Sequence, residues 1–305
     1  MTDIANEDRG ELLRVEQLTK TFTVRNAWGR REGEVRAVDG VDLTVHRGET
    51  LAVVGESGSG KSTLGRCMLQ METPTSGSVS YEGTNLTALP RAQRAPFHRS
   101  MQVIFQDPFS SLNPHRTALQ NVMEPLTVLT TEADPRSRAI EALHSVGITG
   151  DAVEKYPRAF SGGQRQRIGI ARAIAVRPTF IVCDEPLSAL DMSIQAQVTE
   201  LLAELQRELD LTYLFISHDL AVVNEIATRT AVMNRGRIVE LGPTREIFEN
   251  PLHPYTQRLL DAMLVPEPAE ARRRLARIAT RPEPTADESG SNVLAERTPA
   301  HFVLE

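Results

Sequence analysis

The run Gly55-Glu56-Ser57-Gly58-Ser59-Gly60-Lys61-Ser62-Thr63 constrains this chain more than any other stretch. It fits G-x-x-x-x-G-K-[ST], a loop that cradles phosphate. Each residue type serves that chemistry. Gly55, Gly58 and Gly60 lack a Cβ, so the backbone can curl and present its N–H groups to phosphate oxygens. Lys61 supplies a cation for the terminal phosphates, and the Ser62 hydroxyl is a hard oxygen ligand suited to Mg²⁺. The apolar run 51–54 reads as a buried strand before the loop. Residues from Thr63 to about Met71 read as a helix after it, with its N-terminus toward the anion. The competing reading is a glycine-rich turn that only connects strand to helix. The flanking elements favour nucleotide binding.

The chain has 305 residues, room for one large domain or two. Its hydrophobic content of 40% is enough to bury a core. The formal net charge of -6 argues against a bare nucleic-acid backbone as the main partner. The two cysteines, Cys67 and Cys183, are too few for a disulfide framework. They read as small buried apolar residues in a reducing compartment. Residues 1–11 are polar and acidic, which fits a disordered start and no signal peptide. No apolar run reaches the roughly 20 residues that span a bilayer. The expected location is therefore cytoplasmic, with any membrane role exercised through partners.

Alternating patterns at 12–18 and 41–45 predict half-buried antiparallel strands. Between them, 25–36 reads as a loop or hairpin tip. There Trp28 is either a packed loop residue, the favoured reading, or a stacking surface for a base. Residues 77–81 follow the first helix, then a polar linker and helix over 85–99, and a strand over 101–105. The span 118–146 reads as helical, broken near 130–135. Residues 164–176 form an amphipathic helix, and 180–183 a buried parallel strand. A helix over 194–208, a strand over 213–216 and a hairpin around Asn234-Arg235-Gly236 complete the series. This alternation predicts an α/β core with a parallel sheet. From Pro266 the chain reads as a loosely ordered tail with one short basic helix over 269–278.

The strand 180–183 ends in Asp184-Glu185. A carboxylate there can hold Mg²⁺ directly or through water, and its neighbour can polarise a water for attack on a γ-phosphate. Upstream lies Phe160-Ser161-Gly162-Gly163-Gln164, with Ser161 standing 23 residues before Asp184. Its physical logic is a second anion site, a serine and two glycine N–H groups at a helix N-terminus. A simple helix cap is the alternative.

With these residues the chain resembles the ATP-binding-cassette (ABC) ATPases, whose signature is Leu-Ser-Gly-Gly-Gln with Phe160 here in place of leucine. The resemblance covers about 12–264. It implies a phosphate-loop NTPase core with a parallel sheet, an N-terminal antiparallel β-subdomain and an inserted helical subdomain over about 88–176, within an ATPase domain over 12–265. The remaining 266–305 would be a partly ordered tail. ATP and Mg²⁺ are the implied ligands. Phe22 matches the aromatic that stacks on adenine, with an ordinary core phenylalanine as the equal alternative. Gln106 matches the glutamine that senses Mg²⁺ and γ-phosphate and couples to membrane subunits. Ser188-Ala189-Leu190-Asp191 matches the segment crossing between two ATPase subunits, and His218 the switch histidine on the γ-phosphate. Catalysis would rest on Glu185, His218 and Gln106, and the metal on Ser62, Gln106 and Asp184. Ser161, Gly162, Gly163 and Gln164 would complete the site of a second subunit, paired head to tail.

A narrower resemblance follows. Residues 106–114 and the run 250–260, Asn-Pro-Leu-His-Pro-Tyr-Thr-Gln-Arg-Leu-Leu, look like the ATPase subunits of bacterial dipeptide and oligopeptide importers. That implies a second ATPase subunit, two transmembrane permease subunits, an extracytoplasmic solute-binding protein, and a peripheral place on the cytoplasmic face of the membrane. Nickel, glutathione or another small solute is the alternative cargo. Translation or DNA-repair ATPases are less favoured, because one motif set is present and no heptad run or cysteine pair lies between its halves. Members of this group often carry an iron–sulfur cluster on a cysteine-bearing extension. The tail here has no cysteine, so no cluster is expected. Within 107–114, Phe109 and Leu112 read as apolar walls of a surface groove that receives a permease helix.

Overall fold

The computed structural model describes residues 10–25, 31–107, 111–263 and 294–304. Two strands open it, β1 (Glu11–Arg25) and β2 (Arg31–His46). They pair antiparallel, with Leu13 opposite Val45 and Val15 opposite Leu43. The alternation at 12–18 and 41–45 is thus an antiparallel pair, as expected. The strands also run well into the anticipated loop at 25–36, and Trp28 lies outside the described residues. β4 (Ser76–Tyr81) and β5 (Thr84–Asn85) complete a four-stranded sheet in the order β2-β1-β4-β5.

The second sheet carries the site. Its centre is β3 (Thr50–Val54), with β8 (Thr212–Ile216), β7 (Phe180–Asp184) and β6 (Met101–Ile104) added in parallel on one side. On the other side β9 (Arg229–Asn234) is parallel to β3, and β10 (Arg237–Pro243) turns back on it as the expected hairpin. The central strands are continuous apolar runs because both faces are covered. Their period of two shows how. Leu51, Val53, Phe180, Val182, Leu214 and Ile216 join one core, with Leu13, Val15, Val45 and Val79 of the antiparallel sheet. Ala52, Val54, Ile181, Cys183, Tyr213 and Phe215 face the other, with Leu119, Val122, Leu143 and Ile168 of the helices.

Helix α1 (Lys61–Met68) follows the loop. It starts at Lys61, two residues before the expected Thr63, and stops short of Met71. Gln70 adopts a left-handed φ of 56°, which a helix cannot carry forward. The segment 88–176 supplies α2 (Ala95–Ser100), α3 (Ala118–Leu129), α4 (Pro135–Ser145) and α5 (Gly162–Ile174). It also supplies β6, the edge of the main sheet. Thr117 caps α3 through a capping box with Gln120, which fixes where that helix begins. Then come α6 (Met192–Leu209), α7 (Leu220–Ile226), α8 (Thr244–Glu249) and α9 (Pro254–Met263).

The partly ordered tail expected over 266–305 does not end loosely: β11 (Leu294–Thr298) and β12 (His301–Leu304) form a hairpin, and β12 pairs with β10. The hairpin extends the main sheet, with its own His301 and Val303 buried. The basic helix expected at 269–278 lies outside the described residues. Leu112 is not a surface wall either. It is 2% exposed and packs in the helical core with Leu119 and Ile168. A polar, proline-rich neighbourhood hid a core anchor, because composition averages over a segment while burial is decided one side chain at a time. Phe109 lies outside the described residues.

Candidate nucleotide-binding and catalytic site

The phosphate loop leaves β3 and enters α1, so the helix dipole points into it. Close approach explains two of its glycines. A Cβ on Gly55 would fall 2.1 Å from the Met233 carbonyl oxygen, and one on Gly60 1.9 Å from that of Ala37. Both also have positive φ, 151° and 107°. The neighbouring backbone closes on the loop as well, since the Gly236 N–H donates to the Ser59 carbonyl at 2.9 Å. The loop is therefore wedged between β2 and the β9–β10 turn.

Lys61 folds along the loop and is 4% exposed. Its ammonium donates to Gly55 O at 2.7 Å and to Glu56 O at 2.8 Å, with Ser59 Oγ at 3.4 Å. Burial lowers its pKa from the ordinary lysine value, and Glu185, Asp184 and Glu56 oppose that shift. Ser62 donates its hydroxyl to Asp184 Oδ1 at 2.6 Å. Asp184, 5% exposed, ends β7 beside β8 and faces Arg66 of α1 at 3.8 Å. A serine hydroxyl against a carboxylate is a pair of hard oxygens of the kind that suits Mg²⁺.

Glu185 follows immediately but turns elsewhere. Its φ of 49° is left-handed, and its N–H donates to Ile216 O at 3.0 Å. That backbone turn separates the two acids, so each meets a different set of partners. Glu185 Oε2 accepts from Gln106 Nε2 at 2.9 Å and lies 3.3 Å from His218 Nδ1. Gln106 follows β6 and His218 follows β8, and both are exposed. Three parallel strands thus deliver Gln106, Asp184-Glu185 and His218 to the same sheet edge as the loop, where ligands of open parallel sheets bind. Beside it, Arg66, Gln102, Gln106, Asp107, Arg172 and Asp184 line a cleft of about 510 Å³.

The other expected residues are placed as follows. Ser57 and Gly58 sit exposed at the loop tip, and Thr63 is half-buried on α1. Phe22 is 40% exposed on β1, which excludes the core alternative, and the Lys20 ammonium stands 4.9 Å from its ring centre. Ser161 and Gln164 form a capping box on α5, with Gln164 N–H to Ser161 Oγ at 3.3 Å and Ser161 N–H to Gln164 Oε1 at 3.1 Å. A Cβ on Gly163 would fall 2.5 Å from Ile194 Cγ2, so the segment packs tightly on α6. Its contacts lie there, and not with the cluster around Glu185. One contact escaped the sequence reading. The Glu56 N–H donates to the Tyr255 hydroxyl at 3.0 Å. Tyr255 stood inside a run singled out only as a subgroup mark, and no spacing rule connects residue 255 to a loop at residue 56.

Residues 38–188 match the family described as ABC transporter, and residues 239–298 the one described as Oligopeptide/dipeptide transporter, C-terminal region. The oligopeptide transport ATP-binding protein OppF of Bacillus subtilis is 44% identical over 96% of this chain and 96% of its own length. OppF of Streptococcus mutans is 42% identical over 98% and 96%. Among solved structures, a dimeric post-hydrolysis state of the ATP-binding cassette MJ0796, bound to ADP and Pi, superposes with a TM-score of 0.68 at 29% identity. That match covers 77% of this chain and 99% of the other.

Proposed function

The chain belongs to the ABC transporter ATPase family, and from that premise we propose that it powers import of dipeptides or oligopeptides through a membrane transporter. The observation that carries the chemistry is the convergence of Glu185, Gln106 and His218 within hydrogen-bonding reach beside the Lys61–Ser62–Asp184 cluster. What supports peptide cargo is the match of residues 239–298 together with the names of the relatives.

In this reading the loop N–H groups and Lys61 bind the phosphates of ATP, and Phe22 stacks on adenine. Ser62 Oγ would hold Mg²⁺, with Asp184 placed against that hydroxyl, and the ion would supply positive charge to the phosphates. Glu185 orients and polarises the attacking water. Gln106 and His218 both contact Glu185 Oε2 and face the γ-phosphate. Ser161 and the N–H groups of Gly162 and Gly163 approach that phosphate from a second subunit, identical or related. Two transmembrane permease subunits and a solute-binding protein complete the complex, with this subunit on the cytoplasmic face. Among the described residues no helix is long and apolar enough to cross a membrane, which fits a subunit that works through permeases.

The test is reconstitution with the cognate permease and binding proteins in liposomes, reading ATP hydrolysis and uptake together. Di- and oligopeptides should stimulate both. Stimulation by nickel or glutathione and not by peptides would reassign the cargo.

A further inference from the structure

Tyr255 is 4% exposed in the first turn of α9, and its hydroxyl accepts the Glu56 N–H at 3.0 Å. The carbonyl of that same peptide unit, Gly55 O, accepts Lys61 Nζ at 2.7 Å. One peptide plane is therefore gripped at both edges, by a phenol on one side and an ammonium on the other. Rotating it would break both bonds and swing the carbonyl away from Lys61. The Gly55 α-carbon is itself closely packed, since a Cβ there would fall 2.1 Å from Met233 O.

Tyr255 is itself anchored. Its N–H donates to His253 Nδ1 at 3.1 Å. The N–H groups of Leu252 and His253 donate to the Glu240 carboxylate at 2.8 and 3.0 Å, and His301 Nε2 lies 2.7 Å from Glu240 Oε1. Glu240 and His301 are 0% and 1% exposed, so the centre of this network is shielded from water, while Leu252 at its rim is exposed. Buried networks of this kind hold one geometry when their members are satisfied. The chain of contacts runs from the C-terminal hairpin through β10 and α9 to the phosphate loop.

We propose that Tyr255 is a positioning residue of the phosphate loop, its hydroxyl setting the Gly55–Glu56 peptide and, through Gly55 O, the place of the Lys61 ammonium. This rests on the nucleotide-binding reading of the loop and gives the C-terminal region a part in it. Without the hydroxyl the peptide is held from one side only, and the loop must be ordered at the expense of ATP affinity.

The experiment compares full-length wild type, Tyr255→Phe and Lys61→Ala, by steady-state phosphate release, calorimetric ATP binding and thermal unfolding. Tyr255→Phe keeps the ring and removes one oxygen. Its KM and Kd for ATP should rise about tenfold, while kcat at saturating ATP falls less than about threefold and Tm stays near wild type. KM and Kd within about twofold of wild type would overturn the proposal, as would an affinity loss that disappears on cooling with the unfolding transition. Equal ATP affinity in wild type and Lys61→Ala would overturn the nucleotide reading, and this inference with it.

Discussion

Ser62 donates its hydroxyl to Asp184 Oδ1 at 2.6 Å, across 122 residues of chain. The bond joins the first turn of α1 to the end of β7 and ties the phosphate loop to the acid-tipped strand. Asp184→Asn keeps the shape but weakens the acceptor and removes the charge. The Mg²⁺ concentration giving half-maximal ATPase should rise about tenfold or more, as when a partner of a metal ligand is lost. A Mg²⁺ titration of phosphate release checks it, and an unchanged midpoint would leave Asp184 out of the metal site.

Glu185 should be separable from binding. Glu185→Gln retains an oxygen able to accept from Gln106 but can no longer act as a base. Hydrolysis should fall by at least about a hundredfold while ATP affinity stays near wild type, because Lys61 and Ser62 are untouched. Single-turnover hydrolysis and equilibrium binding measured together decide this; near-native turnover would remove Glu185 from the catalytic role.

The thiols should be inert in the folded protein. Burial pushes the Cys67 pKa up from the ordinary 9.0 to about 11 and raises that of Cys183 further. At pH 8 roughly one Cys67 in a thousand is thiolate, so alkylation should be negligible until unfolding exposes both cysteines. A thiol whose pKa is raised in the folded state favours folding below pH 9.0, and that contribution is lost as pH rises toward about 11. Labelling kinetics and urea midpoints across that window test the sign. Rapid native labelling at pH 8 would contradict the burial.

Leu112 marks where sequence reasoning stopped. The phosphate loop and the acid pair are legible as local patterns at strand ends, and parallel topology gathers strand ends at one edge; Gln106 and His218 carry no such local signal and enter only through the family resemblance. The burial of Leu112, the Tyr255–Glu56 bond and the docking of β12 on β10 were not legible. Each depends on a pairing between distant segments that no local period encodes. As a wall of a surface groove, Leu112 would accept aspartate without loss of the fold, at the expense of docking alone. Since Leu112 packs in the helical core, the substitution should instead cost at least about 3 kcal/mol and lower Tm markedly in the isolated subunit. A thermal melt within a degree or two of wild type would return Leu112 to the surface.

Ser161 should act on another subunit's nucleotide. In this chain its hydroxyl caps α5 and is exposed, while Gly163 is pressed against Ile194 of α6. The N-terminus of a thirteen-residue helix is thus presented outward, where its dipole favours negative charge. The cluster around Glu185 has its own partners, Gln106 and His218, and none of them comes from the Ser161 segment. If two subunits pair head to tail, Ser161→Arg in one and Lys61→Ala in the other damage the same composite site and leave the second whole. Placing both substitutions in one chain, opposite a wild-type partner, damages both sites. The first mixed dimer should therefore retain one intact site and the second none, read as nucleotide trapped per dimer with differently tagged subunits. Equal loss in the two arrangements would refute head-to-tail pairing and return Ser161 to a capping role alone.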